Sequence, residues 1–115
     1  MDITKCQSLT KVYSNGFKAL NDISFGIRPK EIFGLLGPNG AGKSTTFNIL
    51  TGLIKRTSGN VFMLDQDPAE DATLLTRVGV CPQFDALWDD LSPYEHLEIF
   101  GAIKGLSGQE LQENI

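Results

Sequence analysis

Eight consecutive residues, Gly37-Pro38-Asn39-Gly40-Ala41-Gly42-Lys43-Ser44, fit the pattern G-x-x-x-x-G-K-[ST]. These residue types at this spacing hold phosphate. Three glycines free the backbone to turn so that successive N–H groups converge on one concavity. A helix beginning after Gly42 adds first-turn N–H groups without intrahelical partners, together with the positive end of its dipole, and an anion is held by both. Lys43 brings a mobile positive charge for the β- and γ-phosphates of a nucleotide, and Ser44 a hydroxyl for Mg²⁺. The glycines of this region fall at 34, 37, 40 and 42, so no G-x-G-x-x-G dinucleotide fingerprint exists here.

The mechanism needs a strand before the loop and a helix after it. Ile32-Phe33-Gly34-Leu35-Leu36 is apolar without alternation, which predicts a strand covered on both faces. After it, Phe47, Leu50 and Ile54 recur at helical spacing, and Gly52 with Thr57-Ser58-Gly59 marks the exit. Upstream, residues 3–13 and 17–27 read as strands joined at Ser14-Asn15-Gly16. Ile23, Phe25 and Ile27 alternate with polar or small residues and predict one buried face. Downstream, 61–64 reads as a short strand, 69–76 as a helix and Val78–Cys81 as a buried strand ended by Pro82, with Cys81 a buried apolar residue. Ser92-Pro93-Tyr94-Glu95 opens a helix, with His96, Ile99, Phe100 and Ile103 on one face. Ser107 followed by Glu110 predicts a second capping box, with Leu111 and Ile115 on one face behind it. Strands alternating with helices predict an α/β fold that begins with an antiparallel hairpin.

The 115 residues suffice for one domain, and 41% are hydrophobic, so a core can form. Charge is uneven: residues 1–60 carry eight Lys/Arg against three Asp/Glu, and residues 61–115 carry two against eleven. The net charge of −4 argues against sequence-independent nucleic-acid binding, and no nucleic-acid partner is expected. The longest uncharged stretches, Ile32–Gly42 and Ser44–Ile54, are about half of what a membrane-spanning helix needs. The N-terminus carries no apolar signal region. Cys6 and Cys81 are too far apart in sequence for a clustered metal site and read as free thiols. Asp85, Asp89 and Asp90 read as a solvated loop.

Two segments, IFGLLGPNGAGKSTTFNILTGL (32–53) and VGVCPQFDALWDDLSPYEHLEIFGAIKG (78–105), carry a resemblance to the nucleotide-binding domain of ABC transporters, above all the A subfamily, which is linked to lipid export. The resemblance covers essentially the whole chain. It implies a P-loop NTPase core of the ABC ATPase type, with an incomplete sheet and the start of the helical subdomain. The N-terminal part of an ATP-binding domain is expected over 1–115, with the core in 1–83 and the Q-loop and helical subdomain in 84–115.

The resemblance further implies that Tyr13 stacks on adenine, a role that needs the ring and not the hydroxyl. Gly37 through Thr45 is the Walker A loop, and Gln83 is the Q-loop glutamine that approaches Mg²⁺ and the γ-phosphate region and senses the transmembrane partner. ATP and Mg²⁺ are the implied cofactors. The implied partners are transmembrane domains of the same polypeptide and a second ABC ATPase domain, at the cytoplasmic face of a membrane. Lys30-Glu31 stands where the family commonly has Gly-Glu, and Asp65 where it often has Gly. No Walker B segment occurs, since nowhere do four apolar residues run into Asp-Glu. Leu106-Ser-Gly-Gln-Glu110 imitates the LSGGQ signature but lacks its second glycine and lies only 23 residues after Gln83. The chain is therefore expected to be a fragment that lacks hydrolysis on its own. A soluble ABC-type ATPase of translation or chromosome maintenance, or an inactive truncated product, are the open alternatives.

Overall fold

The computed structural model describes all residues, 1–115. They form two units, Met1–Leu75 and Thr76–Ile115, each described by itself.

The first unit is built on a three-stranded antiparallel sheet, β1 (Thr4–Val12), β2 (Lys18–Ile27) and β3 (Ser58–Met63), in the order β2-β1-β3. The expected hairpin is present. Gly16 takes φ +83° at its turn and donates its amide to Tyr13 O at 2.9 Å. Strict alternation along β1 is broken at Ser8. There Cys6 pairs with Phe25 but Leu9 pairs with Ile23, so the strand holds one residue too many. Ser8 absorbs the bulge at φ +49°, with its amide bonded to Ser24 Oγ at 2.8 Å. The bulge turns Leu9, rather than Ser8, into the core. Cys6, Leu9, Leu20 and Val61 are buried there together with Ile49 of helix α1 (Lys43–Leu50). Burial pushes the Cys6 thiol up to about 11, which keeps it protonated and unreactive at neutral pH.

Helix α1 follows Gly42 as expected, and Leu50 and Ile54 pack against the core as expected, whereas Phe47 does not. Phe47 is 42% exposed, and Thr45, Thr46 and Ile49 are the buried residues. Threonines can take those positions because their hydroxyls are paired: Thr46 Oγ1 donates to Gly42 O at 2.9 Å, and Thr45 Oγ1 bonds the Tyr13 hydroxyl.

The strand expected at Ile32–Leu36 does not form. The segment is irregular, and Ile32 and Leu36 are 101% and 92% exposed. A strand needs a ladder partner, and none of β1, β2 and β3 pairs with this segment. Within it, Phe33 stacks on Phe25 with centroids 5.2 Å apart.

Across β3, Arg56 before the strand grips Asp67 after it through both terminal nitrogens, at 3.0 and 2.6 Å, while its Nε donates to Gly59 O at 2.8 Å. The Arg56 bond, helped by the Ala69 amide, holds the Asp67 carboxyl below its usual range against the opposing effect of burial. The helix expected at 69–76 is a 3₁₀ helix, Ala72–Arg77, started by Asp71 accepting from the Thr73 amide and hydroxyl and anchored by fully buried Leu74.

In the second unit the strand expected at Val78–Cys81 is also irregular, for the same want of a ladder partner. Val80 is 49% exposed, and Cys81 is exposed rather than buried. Helix α2 (Pro93–Ile103) has the expected capping box: Glu95 N donates to Ser92 Oγ and Ser92 N to Glu95 Oε2. His96 is buried as a structural residue, its Nε2 accepting from Trp88 N at 2.9 Å and its Nδ1 bonded to Ser92 O at 2.8 Å. Ile99, Phe100 and Ile103, expected on the same face, stay partly exposed. Helix α3 (Gly108–Glu113) starts after Ser107, but the Ser107 hydroxyl makes no capping bond. Gly108, the first helical residue, takes φ +55°, so the first turn is not regular enough to aim that hydroxyl at the Glu110 amide. No helix is long and apolar enough to cross a membrane.

Two predictions follow from these contacts. Ser92→Ala should lower the stability of α2 by about 1 kcal/mol and Ser107→Ala should leave α3 unchanged, read as amide hydrogen exchange in each helix. Because the folded Asp67 pKa is depressed, its contribution to stability is complete above its unfolded pKa of about 3.9 and is lost as pH falls through the folded value. Asp67→Asn should therefore lower the urea midpoint at pH 7 and narrow the gap between variant and parent at pH 3.

Candidate functional site

Between β2 and α1 the chain makes the loop that the sequence singled out. Its last residue, Gly42, is the N-cap of α1 in the left-handed conformation, at φ +95°. No other residue fits. A Cβ there would lie 2.6 Å from Leu20 Cδ2 and 2.7 Å from Ala19 O, so the loop is pressed against the start of β2. Gly40 is also left-handed, at φ +85°, and Ala41 N closes a turn onto Pro38 O at 3.1 Å. The first α-helical bond runs from Thr46 N to Gly42 O, which leaves the amides of Lys43, Ser44 and Thr45 ahead of it at the positive end of the helix.

Lys43 doubles back over this loop. Its ammonium donates to Gly37 O at 2.5 Å and to Pro38 O at 2.8 Å. The charge is thus held at the loop by two carbonyl dipoles, a weaker arrangement than bonds to an anionic phosphate oxygen, where both partners are charged. Ser44 is exposed at the first turn of α1. Asn39 and Ala41 are exposed within the loop, and Thr45 is buried behind it.

Tyr13 is joined to this loop by its tip. The hydroxyls of Tyr13 and Thr45 are 3.1 Å apart and hydrogen-bonded. Through this bond the hydroxyl links the hairpin end to the helix that carries the phosphate loop. Two further residues support Tyr13. The Lys11 ammonium lies 5.2 Å from the ring centroid and donates to Lys55 O at 2.6 Å. Thr57 Oγ1 accepts from Val12 N at 2.9 Å and donates to Val12 O at 3.2 Å. Lys11 stands two residues before Tyr13 on an extended chain, a spacing that puts both on one side and could have signalled the pair. Nothing in the sequence pointed to Lys55 or Thr57, more than forty residues away. Gln83 lies exposed in an irregular stretch of the second unit.

The model of the ABC transporter family matches residues 20–115, which include the whole loop. The chain belongs to the ABC transporter family. Its curated relatives include members of the A subfamily. The human cholesterol transporter ABCA5 is 52% identical over 95 residues, covering 81% of this chain and 6% of that protein. ABC transporter A family member 4 of Arabidopsis thaliana is 43% identical over 116 aligned positions, covering 96% of this chain and 12% of that protein. The chain thus spans a small part of the length of the relatives it matches. Among solved structures, the ATP-binding subunit of an ABC transporter matches 91% of this chain and 44% of its own, with TM-score 0.82 and 27% identity. A dimeric bacterial ABC transporter cassette matches 96% of this chain and 53% of its own, with TM-score 0.77 and 30% identity. A post-hydrolysis state of the ATP-binding cassette bound to ADP and Pi matches equally well. The fold is therefore an incomplete ABC ATPase core, and the loop at 37–45 belongs to an ATP-binding domain of the A-subfamily type.

Gly42→Ala should test the loop's dependence on its backbone. Left-handed geometry costs a residue with a Cβ about 1–2 kcal/mol, and the contact with Ala19 O adds to that. Nucleotide affinity should fall more than tenfold in a calorimetric titration, whereas Gly79→Ala, where a Cβ meets nothing within 4 Å, should leave it unchanged.

Proposed function

We propose that residues 1–115 form the phosphate-cradling part of an ATPase domain in an A-subfamily-type ABC transporter, which couples ATP binding and hydrolysis to the movement of a lipid-like substrate across a membrane. The observation that carries this is the loop itself: Gly37–Thr45 ends in a left-handed Gly42 at the N-terminus of α1, with the Lys43 ammonium held over it. The lipid-like substrate rests on the A-subfamily relatives, one of which is named as a cholesterol transporter.

In this reading the amides of the loop and the first turn of α1 bind phosphate oxygens. Lys43 leaves the Gly37 and Pro38 carbonyls for the β- and γ-phosphates, and Tyr13 offers its ring to adenine. Mg²⁺ fits the residues present. Ser44 offers an exposed hydroxyl, and no group of three or more His, Cys, Asp or Glu side chains is placed to hold a metal. The ion would be held by Ser44 together with the phosphates rather than by a protein cage, where it supplies neutralisation of phosphate charge. Gln83 is assigned to the Q-loop, near Mg²⁺ and the γ-phosphate. The partners are membrane domains of the parent polypeptide and a second ATPase domain, with this stretch at the cytoplasmic face.

The 115 residues contain no apolar run ending in Asp-Glu and no complete signature. They therefore supply no Walker B carboxylate to hold the metal or polarise the attacking water. The exposed apolar segment at 32–36 leaves the cradle without a strand beneath it, which weakens binding by loss of preorganisation.

The test is a titration of the chain with MgATP and MgADP, followed by ³¹P and amide NMR shifts, which register weak binding. Lys43→Ala should weaken both nucleotides by about 2 kcal/mol or more, and Lys5→Ala, on the exposed part of β1, should change neither. Phosphate release should stay at the background rate. Equal losses from the two variants would remove the assignment of the loop, and turnover abolished by Lys43→Ala would show that the absent carboxylates are dispensable.

A further inference from the structure

Lys11 lies outside the phosphate loop, and the family resemblance assigned it no role. Its ammonium sits over the Tyr13 ring, 5.2 Å from the centroid, within the distance at which a cation is attracted to a ring face. The same ammonium donates to Lys55 O at 2.6 Å, in the segment that leaves α1. The far end of the ring is held as well, since the Tyr13 hydroxyl bonds Thr45 Oγ1 at 3.1 Å, on the buried side of α1. A planar ring has two faces. With one covered by an anchored cation, the tip tied to the phosphate-loop helix and Tyr13 still 36% exposed, the other face is the candidate platform for a nucleobase.

We propose that Lys11 is a positioning residue for nucleobase recognition, which together with the Tyr13–Thr45 hydrogen bond holds the Tyr13 ring ready to stack. This rests on the assignment of Gly37–Thr45 as the nucleotide's phosphate site and adds a residue that works on the base alone. A ring held before the ligand arrives loses less side-chain freedom on stacking. Lys11 needs no contact with the ligand to have this effect, because it acts through Tyr13.

A base-free ligand separates this role from a structural one. The full 115-residue chain is titrated with MgATP and with magnesium tripolyphosphate, and the ratio of the two affinities is compared between variants. Lys11→Met keeps most of the aliphatic stem and removes the cation. It should lower the ratio three- to tenfold while leaving tripolyphosphate binding unchanged. Lys11→Arg, which keeps a cation able to lie over the ring, should restore the ratio. Tyr13→Ala should lower the ratio at least as far, and adding Lys11→Met to it should lower it no further. Tyr13→Phe, which keeps the ring and loses the bond to Thr45, should give a smaller drop in the same direction.

A Lys11→Met loss that is equal for ATP and tripolyphosphate would overturn the proposal, since Lys11 would then serve the fold or the phosphates. So would a loss additive with that of Tyr13→Ala, or a ratio that Tyr13→Ala does not change. The phosphate-site assignment is tested separately, by whether Lys43→Ala removes tripolyphosphate binding. A failure at Lys11 therefore leaves that assignment standing.

Discussion

Ile49, buried among Cys6, Leu9, Leu20 and Val61, presses α1 onto the antiparallel sheet. The phosphate loop depends on this contact, because α1 is the only regular element attached to its far end. A fully buried aliphatic side chain contributes about 1.5–3 kcal/mol by removal from water, more than a typical hydrogen bond between neutral groups. Where the sheet holds α1, the unpaired amides at its N-terminus are held too. The close approach of Gly42 to Ala19 O and Leu20 is the other end of the same constraint.

Around this anchor, polar groups are buried only where they are paired. Thr46 returns its hydroxyl to Gly42 O and Thr45 shares its own with Tyr13. No buried side-chain nitrogen or oxygen is left without a partner. The Thr45 pairing has a second consequence, because it joins the hairpin end to the phosphate loop. The residue assigned to the base and the residues assigned to the phosphates are thus connected through one hydroxyl pair, with Lys11 and Thr57 supporting the hairpin side.

The same accounting explains the two segments that stay irregular. Ile32–Leu36 and Val78–Cys81 have the composition of buried parallel strands, and neither forms one. A parallel strand is stabilised by neighbours on both edges and by layers on both faces. Roughly half of each matched cassette structure has no counterpart here. We attribute the exposure of these apolar residues to neighbours that this stretch of sequence does not contain.

Much of the site was legible in the sequence, because it rests on local rules. G-x-x-x-x-G-K-S names its own backbone geometry, and Asn15-Gly16 and Ser92-Pro93-Tyr94-Glu95 act within a few residues. What depends on distant partners was not legible. The bulge at Ser8 that turns Leu9 inward, the use of threonines among the buried residues of α1 and the Lys11–Tyr13–Thr45 connection join elements far apart in the chain, and the Arg56–Asp67 pair spans the whole of β3. Ser107 marks the limit even for a local rule, since its capping pattern is present but Gly108, the first helical residue, takes a positive φ and the Ser107 hydroxyl makes no capping bond. The sequence alone determined which backbone groups could bind phosphate. Only the tertiary structure decided which face α1 buries and which apolar segments become strands, because both depend on hydrogen-bond and packing partners that sequence spacing does not specify.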